Sequence, residues 1–320
     1  MLARLRLRKP LMALIGALGL VLAAAVLAPA CAAIPVGDDR PELSKFASAP
    51  GPGVPMEITP LLFGRQTQPE CGMVGDASCL HFVDQVYVAY LVKHPKGTFL
   101  IDAGLSSHLD DDLAKFSFAV RQAFRFEHVD TLAHALQTIN AKPDFVILTH
   151  VHWDHSSGLT DIPGMKFVTD ADDLDYIHKY NGAVHAVRPD HFEKVTPDVF
   201  KFDGPPIENF AASHDLFGDG SVELVPLPGH TPGALGVLLS TVHGKRLLFI
   251  GDAAWLRDGY RIPSHRPGPM SKLVDADRHE TSDTLWRLYH FAKERPDVVI
   301  VPAHDGEALQ DIEALNGAKK

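Results

Sequence analysis

The sequence predicts an α/β sandwich, in which two β-sheets pack together and helices cover them. The composition is that of a globular protein, with 46% hydrophobic and 22% charged residues in a chain of 320. Short apolar strand patterns occur in both halves of the chain, and helical patterns separate them. Disordered, collagen-like and coiled-coil classes are therefore excluded. The length is compatible with one domain or with two.

The first half of the chain begins its regular structure with two predicted strands, at 83–92 and 97–101, joined by a turn that contains Pro95 and Gly97. Apolar residues within 132–139 have the spacing of one helix face. A buried strand is predicted at 145–149, followed directly by a loop crowded with histidines. This alternation of strand, helix and strand is typical of a layered α/β fold.

The second half of the chain shows a similar succession of strand and helix patterns. Strands are predicted at 222–226, 235–239 and 246–250. A helix is predicted at 282–293, with its apolar residues on one face, and a last strand at 297–301. Several of these strands end in polar residues, so polar groups are expected at one edge of the sandwich.

The N-terminus predicts an export signal. Basic residues precede an unbroken apolar run at 11–28 and a group of small residues. The preferred division is a signal peptide at 1–32, a linker or arm at 33–55, and one folded domain at 56–320. Lipid attachment at Cys31 and a retained anchor are the alternatives. All three place the body outside the cytoplasm, in the periplasm or the medium, and limit membrane contact to the leader.

The two cysteines of the body are Cys71 and Cys79, which lie in a Gly-containing insert. In an oxidising compartment they are expected to close a small disulfide loop. A metal role is less favoured, because zinc thiolate sites present cysteines in closer pairs with two further ligands.

The formal charge of −10 argues against a nucleic-acid partner. Affinity for nucleic acid depends largely on Lys and Arg side chains that neutralise phosphates, and an acidic body supplies few of them. The expected partner is a small molecule. The oligomeric state is left open.

The strongest chemical signal follows the strand at 145–149. His150, His152, Asp154 and His155 place four potential metal ligands within six consecutive residues. A chance cluster of histidines on a surface loop is an improbable explanation at this density. Asp102, which ends the strand at 97–101, is expected to stabilise a turn or to orient a ligand.

Three more potential ligands follow apolar strands further along the chain. His230 lies in a Pro-Gly-His-Thr-Pro-Gly segment, Asp252 follows the strand at 246–250, and His304 follows the last strand. Each is flanked by Gly or Pro, which allows the backbone to turn sharply. Together with the first cluster they supply five His and two Asp, a donor set that suits two adjacent divalent ions.

These residues resemble the signature of the metallo-β-lactamase superfamily, His-x-His-x-Asp-His followed by a separate His, Asp and His. The resemblance covers about 56–308 and implies a four-layer αββα sandwich with the site at one edge of the sheets. By motif position, one metal is held by His150, His152 and His230, the second by Asp154, His155 and His304, and Asp252 bridges them.

The resemblance is closest to the glyoxalase II and acyl-homoserine lactonase branches, in which the bridging ligand is Asp rather than Cys. In the lactonase branch a Tyr follows that Asp by three residues, whereas this chain has Trp255. An indole donates one N–H but no phenolic proton. A replacement donor could come from Tyr260 or His265 in the Gly- and Pro-rich stretch 259–269, which is otherwise expected to be a surface loop.

The function implied is a metal-dependent hydrolase that opens a lactone or related carboxylic ester. Two divalent ions, expected to be Zn(II), would generate a bridging hydroxide, with Asp154 and Asp252 as the catalytic carboxylates. An acyl-thioester or phosphotriester hydrolase is the alternative. An iron-dependent redox enzyme on the same fold is a more remote one.

Overall fold

The computed structural model describes residues 51, 53–118, 121, 125–179, 186–242 and 246–317. The predicted leader and nearly all of the predicted linker lie outside these residues. The strands are β1 (Glu57–Pro69), β2 (Phe82–His94), β3 (Gly97–Ile101), β4 (Glu127–His128), β5 (Phe145–Ile147), β6 (Lys166–Asp170), β7 (Thr196–Phe200), β8 (His214–Asp215), β9 (Val222–Pro226), β10 (Leu235–Ser240), β11 (Arg246–Gly251) and β12 (Val298–Pro302). The helices are α1 (Leu109–Ala114), α2 (Leu132–Thr138), α3 (Trp153–Ser156), α4 (Ala171–Lys179), α5 (Arg257–Arg261), α6 (Gly268–Val274), α7 (Arg278–Glu294) and α8 (Gly306–Gly317), with short 3-10 turns at Glu70–Gly72, Ser157–Asp161 and Pro189–Phe192.

Two sheets form the centre of the described structure. The first has the strand order β4-β1-β2-β3-β5-β6-β7, and the second has the order β12-β11-β10-β9-β8. Strands β3, β5, β6 and β7 run parallel, as do β11 and β12. The carboxyl ends of these parallel strands therefore lie at a common edge of each sheet.

The main core lies between the two sheets. Side chains of β2 alternate, so that Val86, Val88 and Tyr90 face the second sheet. Tyr87 and Ala89 face the helices on the outside of the first sheet. Every residue of β10 and β11 is buried, because one face meets the first sheet and the other meets helices.

Helices cover both outer faces, which confirms the predicted αββα sandwich. Helix α2 packs on the first sheet through its apolar face, and α7 packs on the second through Leu285, Leu288 and Phe291. Helix α7 begins at Arg278, earlier than the predicted start, because the Asp277 carboxylate accepts hydrogen bonds from the His279 and Glu280 backbone N–H groups.

The strands at 97–101 and 222–226 have the predicted bounds. Strand β1 was not predicted, because Thr, Pro, Gly and Gln interrupt its apolar pattern. It forms by pairing along β2, from Glu57 opposite Lys93 to Pro69 opposite Phe82, with an irregularity at Gly64. This is a case in which tertiary pairing outweighs local propensity.

The stretch 259–269 is not the expected surface loop. It contributes to α5 and α6, and Tyr260 is buried in the core beneath α7. The His265 ring is also buried, and its Nε2 lies 2.6 Å from Ser282 Oγ. Neither residue lines the cavity over the predicted ligands, so neither replaces the missing tyrosine.

The predicted disulfide between Cys71 and Cys79 is present. It closes the insert between β1 and β2. Among the described residues, no helix combines the length and the apolar character needed to cross a bilayer.

Candidate metal centre

The predicted ligands meet at one edge of the sandwich. His150 follows β5, His230 follows β9, Asp252 follows β11 and His304 follows β12. The first cluster continues into the short helix α3, with His152 at its N-cap and Asp154 and His155 in its single turn. Strand ends from both sheets thus bring residues as far apart in sequence as His150 and His304 into one cluster.

All seven predicted ligands belong to groups whose donor atoms lie within 4.8 Å of one another. The groups are His150 with His152 and His230; His150 with His155 and Asp252; and Asp154 with His155 and His304. The first and third of these sets match the two predicted metal sites.

Asp252 lies between the two sets. Its Oδ1 is 3.2 Å from His155 Nε2 and 3.1 Å from His304 Nε2. Its Oδ2 is 3.2 Å from His230 Nε2 and 3.9 Å from His150 Nε2. One carboxylate oxygen therefore faces each set, which is the placement that a bridging ligand requires.

The donor atoms fit divalent cations. The Nε2 atom of His150 is buried and makes no hydrogen bond with any described residue. Burying an imidazole nitrogen without a partner costs free energy, and a cation at the centre would remove that cost. Burial and the neighbouring His155 hold the pKa of His150 well below its usual value, so its ring is neutral and able to ligate.

The local charge also favours a cation. Burial opposes protonation of His155, yet the carboxylates of Asp102, Asp252 and Asp154 raise its pKa well above the usual value. The pKa of His304 is raised in the same way, against burial, by Asp252 and Asp154. An environment that stabilises imidazolium stabilises any positive charge placed there.

Hydrogen bonds at the far nitrogens orient three of the rings. His155 Nδ1 lies 2.8 Å from Asp102 Oδ2, His230 Nδ1 lies 2.8 Å from Asp275 Oδ1, and His304 Nδ1 donates to the Val86 carbonyl at 2.7 Å. Each bond leaves the Nε2 atom facing the cluster. Such outer partners fix ring orientation and raise ligand basicity.

Asp102 holds the first cluster in place from a left-handed backbone conformation, with φ of 60°. Its carboxylate accepts hydrogen bonds from the Thr149 N–H and hydroxyl groups as well as contacting His155. The predicted orienting role of this residue therefore agrees with the geometry. Gly251 is also left-handed, and a Cβ there would lie 2.4 Å from Thr149 Oγ1, so only glycine fits directly before Asp252.

Arg266 was not predicted as part of the site, because it lies in the stretch taken for a surface loop. It is buried, and it donates to Asp275 Oδ1 at 2.7 Å and to the Asp252 carbonyl. Its guanidinium lies 4.6 Å from the centre of the Trp255 ring. Arg266 therefore connects the partner of His230 with the residue between the two sets.

The only polar hydrogen of the Trp255 side chain is bound within the site. The indole N–H donates to Asp252 Oδ2 at 2.6 Å. This bond orients the carboxylate and leaves no N–H for a substrate. The position that the resemblance assigns to tyrosine thus has a different role here.

A small cavity lies over the cluster, with about 20 Å³ available to the centre of a water-sized molecule. That space is sufficient for about one water molecule. Its walls include Gln85 and Tyr87 of β2, together with Val274, Trp255 and five of the predicted ligands. Burial and the charges of Asp154 and Asp252 raise the pKa of Tyr87 well above its usual value, so this phenol keeps its proton.

The loop that carries His230 is anchored by a buried carboxylate. Asp173 of α4 accepts hydrogen bonds from Thr231 Oγ1 at 2.9 Å and from the Gly233 N–H at 2.8 Å. Burial raises the pKa of Asp173 from 3.8 to about 7, against the opposing effect of these two bonds.

This shift predicts a specific pH dependence of stability. Because the pKa in the folded state lies above the unfolded value, folding favours the protonated carboxyl, and the free energy of unfolding should fall as pH rises from 3.8 to about 7. In Asp173→Asn this part of the dependence should be absent. Urea unfolding of metal-loaded wild type and variant at pH 5 and pH 8 measures the difference, with Asp175→Asn on the exposed side of α4 as the control. Parallel pH profiles for wild type and Asp173→Asn would contradict it.

Known proteins match most of this chain in sequence and in fold. The family model described as "Metallo-beta-lactamase superfamily" matches residues 84–304. A probable metallo-hydrolase of Mycobacterium tuberculosis is 29% identical over 243 residues, which cover 69% of this chain and 74% of the relative. The N-acyl homoserine lactonase AttM of Agrobacterium fabrum is 25% identical over 230 residues, which cover 68% of this chain and 81% of the relative.

Solved structures share the fold. An N-acyl homoserine lactone hydrolase with the product N-hexanoyl-L-homoserine at its catalytic metal centre superposes with a TM-score of 0.62 at 14% identity, covering 81% of this chain and 96% of that one. The dizinc quorum-quenching lactonase AidC gives a TM-score of 0.52 at 16% identity, covering 82% and 92%.

Proposed function

Because the chain belongs to the metallo-β-lactamase superfamily and is a metal-dependent hydrolase, we propose that it is an exported dinuclear enzyme that opens a lactone or a related carboxylic ester. The observation that carries the dinuclear proposal is the placement of Asp252, whose two oxygens face different ligand sets. A single metal would require only one of those sets.

The residues of the cluster would divide between two ions. His150, His152 and His230 would hold the first, Asp154, His155 and His304 the second, and Asp252 would contact both. Imidazole and carboxylate donors suit Zn(II). When bound there, such ions would supply Lewis-acid polarisation of an ester carbonyl and a water of lowered pKa near neutral pH.

The protein residues have separate tasks in this reaction. Asp154 and Asp252 keep their carboxylates at the cavity wall, where they would ligate the ions and balance part of their positive charge. Asp102 and Asp275 hold the His155 and His230 rings. The cavity has space for about one water molecule, and these water-poor surroundings would strengthen the attraction between the ions and their ligands.

A lactone substrate is supported by the relatives, several of which are named as N-acyl homoserine lactonases. The catalytic centre of the structural relative holds the ring-opened product of such a lactone. A carboxylic ester has the same carbonyl and the same alkoxide leaving group, so it belongs to the same proposal.

Export is supported by two features. The Cys71–Cys79 disulfide is typical of proteins outside the cytoplasm. The basic and apolar N-terminal sequence has the order of a signal peptide, with small residues at the expected cleavage region 28–33. Periplasmic or secreted location is part of the proposal for these reasons.

One experiment on one sample tests these proposals. The full-length chain is expressed in a bacterial host, and protein is recovered from the periplasm or medium. Native mass spectrometry should find two divalent ions per chain and a first residue within 28–33 of the sequence. The same protein should open N-hexanoyl-L-homoserine lactone, and chelation should abolish the reaction.

The other outcomes separate the alternatives. Two ions without lactone or ester hydrolysis would contradict the substrate proposal, and parallel assays with an acyl-thioester and a phosphotriester would then identify the bond. One iron per chain would contradict the dinuclear hydrolase. An intact Met1 would contradict signal-peptide cleavage.

A further inference from the structure

Tyr87 is a polar residue of the cavity that the proposed reaction has not used. It lies on β2, on the face opposite to Val86, and its side chain is buried at 2% exposure. Its ring lies 5.2 Å from the His304 ring in an edge arrangement, and 4.3 Å from Phe126. The phenol is therefore held at the wall formed by the second ligand set.

The hydroxyl of Tyr87 has a defined hydrogen-bond direction. Gln85 Nε2 donates to the Tyr87 oxygen at 3.3 Å. The side-chain amide of Gln85 is held against a 180° flip, because its Oε1 accepts hydrogen bonds from Gln66 Nε2 at 2.7 Å and from Gln68 Nε2 at 2.5 Å. Two donors on one side of the amide thus direct its N–H toward the phenol.

The consequence concerns the phenolic proton. Because the Tyr87 oxygen already accepts a hydrogen bond, its own O–H is available to donate. Among the described residues, no other hydrogen bond to this hydroxyl is present. Tyr87 lines the same cavity as Asp154 and Asp252, which is where a reacting carbonyl would enter.

Trp255 offers no free side-chain donor at this place. Its N–H is bound to Asp252 Oδ2 at 2.6 Å. Tyr87 and Trp255 both line the cavity, but Tyr87 lies on β2 of the first sheet, whereas Trp255 lies in the segment that follows β11 of the second sheet. A phenol on β2 can therefore donate the hydrogen bond that the Trp255 side chain cannot donate.

We propose that Tyr87 is a catalytic residue that donates a hydrogen bond to the carbonyl oxygen of the substrate, and that Gln85 is a positioning residue that orients it. The inference rests on the proposed hydrolase function. Negative charge develops on the carbonyl oxygen as the nucleophile adds, so the bond strengthens toward the transition state.

Tyr87→Phe tests the proposal, with Tyr90→Phe as the matched control. Tyr90 lies on the same strand and is also buried, but it faces the other sheet, and its hydroxyl makes no hydrogen bond with any residue that the structure describes. In metal-loaded protein, Tyr87→Phe should lower kcat for lactone opening about 100-fold with little change in KM. Metal content should match that of Tyr90→Phe, which should retain wild-type activity, and both variants should remain fully folded at the assay temperature.

Gln85→Leu gives a second test that leaves the phenol in place. It should also lower kcat, but by a smaller factor than Tyr87→Phe. The hydroxyl is still present in this variant, but Gln85 no longer orients it. A loss in Gln85→Leu with no loss in Tyr87→Phe would overturn the assignment.

A binding measurement separates this proposal from the proposed function. Phenylphosphonate, a small tetrahedral oxyanion, is titrated calorimetrically into the metal-loaded proteins. Tyr87→Phe should bind it about 10-fold more weakly than Tyr90→Phe, since hydrogen bonds to charged acceptors are among the stronger ones. If wild type opens no lactone or ester but this difference is present, the substrate proposal fails and the Tyr87 assignment stands. Equal binding and equal kcat in both variants would overturn it.

Discussion

Asp252→Asn should lower hydrolysis about 1,000-fold and reduce the metal content from two ions to one. The amide keeps the shape of the carboxylate and can still accept the hydrogen bond from Trp255, but it has only one oxygen and no charge. In the structure the two carboxylate oxygens face different ligand sets. Metal-ion stabilisation of a transition state is worth several kilocalories per mole, and about 1.36 kcal/mol corresponds to a factor of ten in rate.

Metal analysis by mass spectrometry and kcat for lactone opening measure the two effects on the same preparation. The control is Asp258→Asn, since Asp258 lies six residues further on but is 41% exposed and faces Arg261 instead of the cluster. It should retain both metals and wild-type activity. If Asp252→Asn keeps two ions and normal turnover, Asp252 does not bridge.

Arg266→Met should destabilise the fold by about 3–5 kcal/mol and weaken metal binding at the His230 side of the site. The Arg266 and Asp275 side chains are 3% and 1% exposed and pair at 2.7 Å. Removing one partner of a buried pair leaves the other charge without compensation. Asp275 also orients the His230 ring. A shift of Asp275 after the loss of Arg266 should therefore disturb the orientation of this metal ligand.

Urea unfolding of the metal-loaded protein measures the loss of stability, and chelator competition measures metal affinity. Arg261→Met is the matched control, because Arg261 is 52% exposed and pairs with Asp258 at 3.6 Å. An exposed pair of this kind contributes at most about 1 kcal/mol. Similar unfolding curves for the two variants would show that the buried Arg266–Asp275 pair does not stabilise the fold.

Local pattern was sufficient to predict much of this molecule. The apolar runs at β3 and β9 predicted the strand bounds, because fully buried strands are rich in apolar residues and end where polar residues begin. The four ligands from His150 to His155 were recognisable because they lie within six consecutive residues. The pairing of β1 with β2 could not be recognised in this way, because its register depends on a partner strand that begins 25 residues later.

The sequence by itself determined the layered fold class, the seven predicted ligands and their chemistry, because strand periodicity and a dense cluster of ligating side chains are local properties. Only the tertiary structure decided that Arg266 and Asp275 support the site, that Trp255 binds Asp252, and that Tyr87 faces the same cavity. These contacts depend on how strand ends from two sheets meet across the core. That arrangement is set by packing over the whole domain, so no short segment of sequence encodes it.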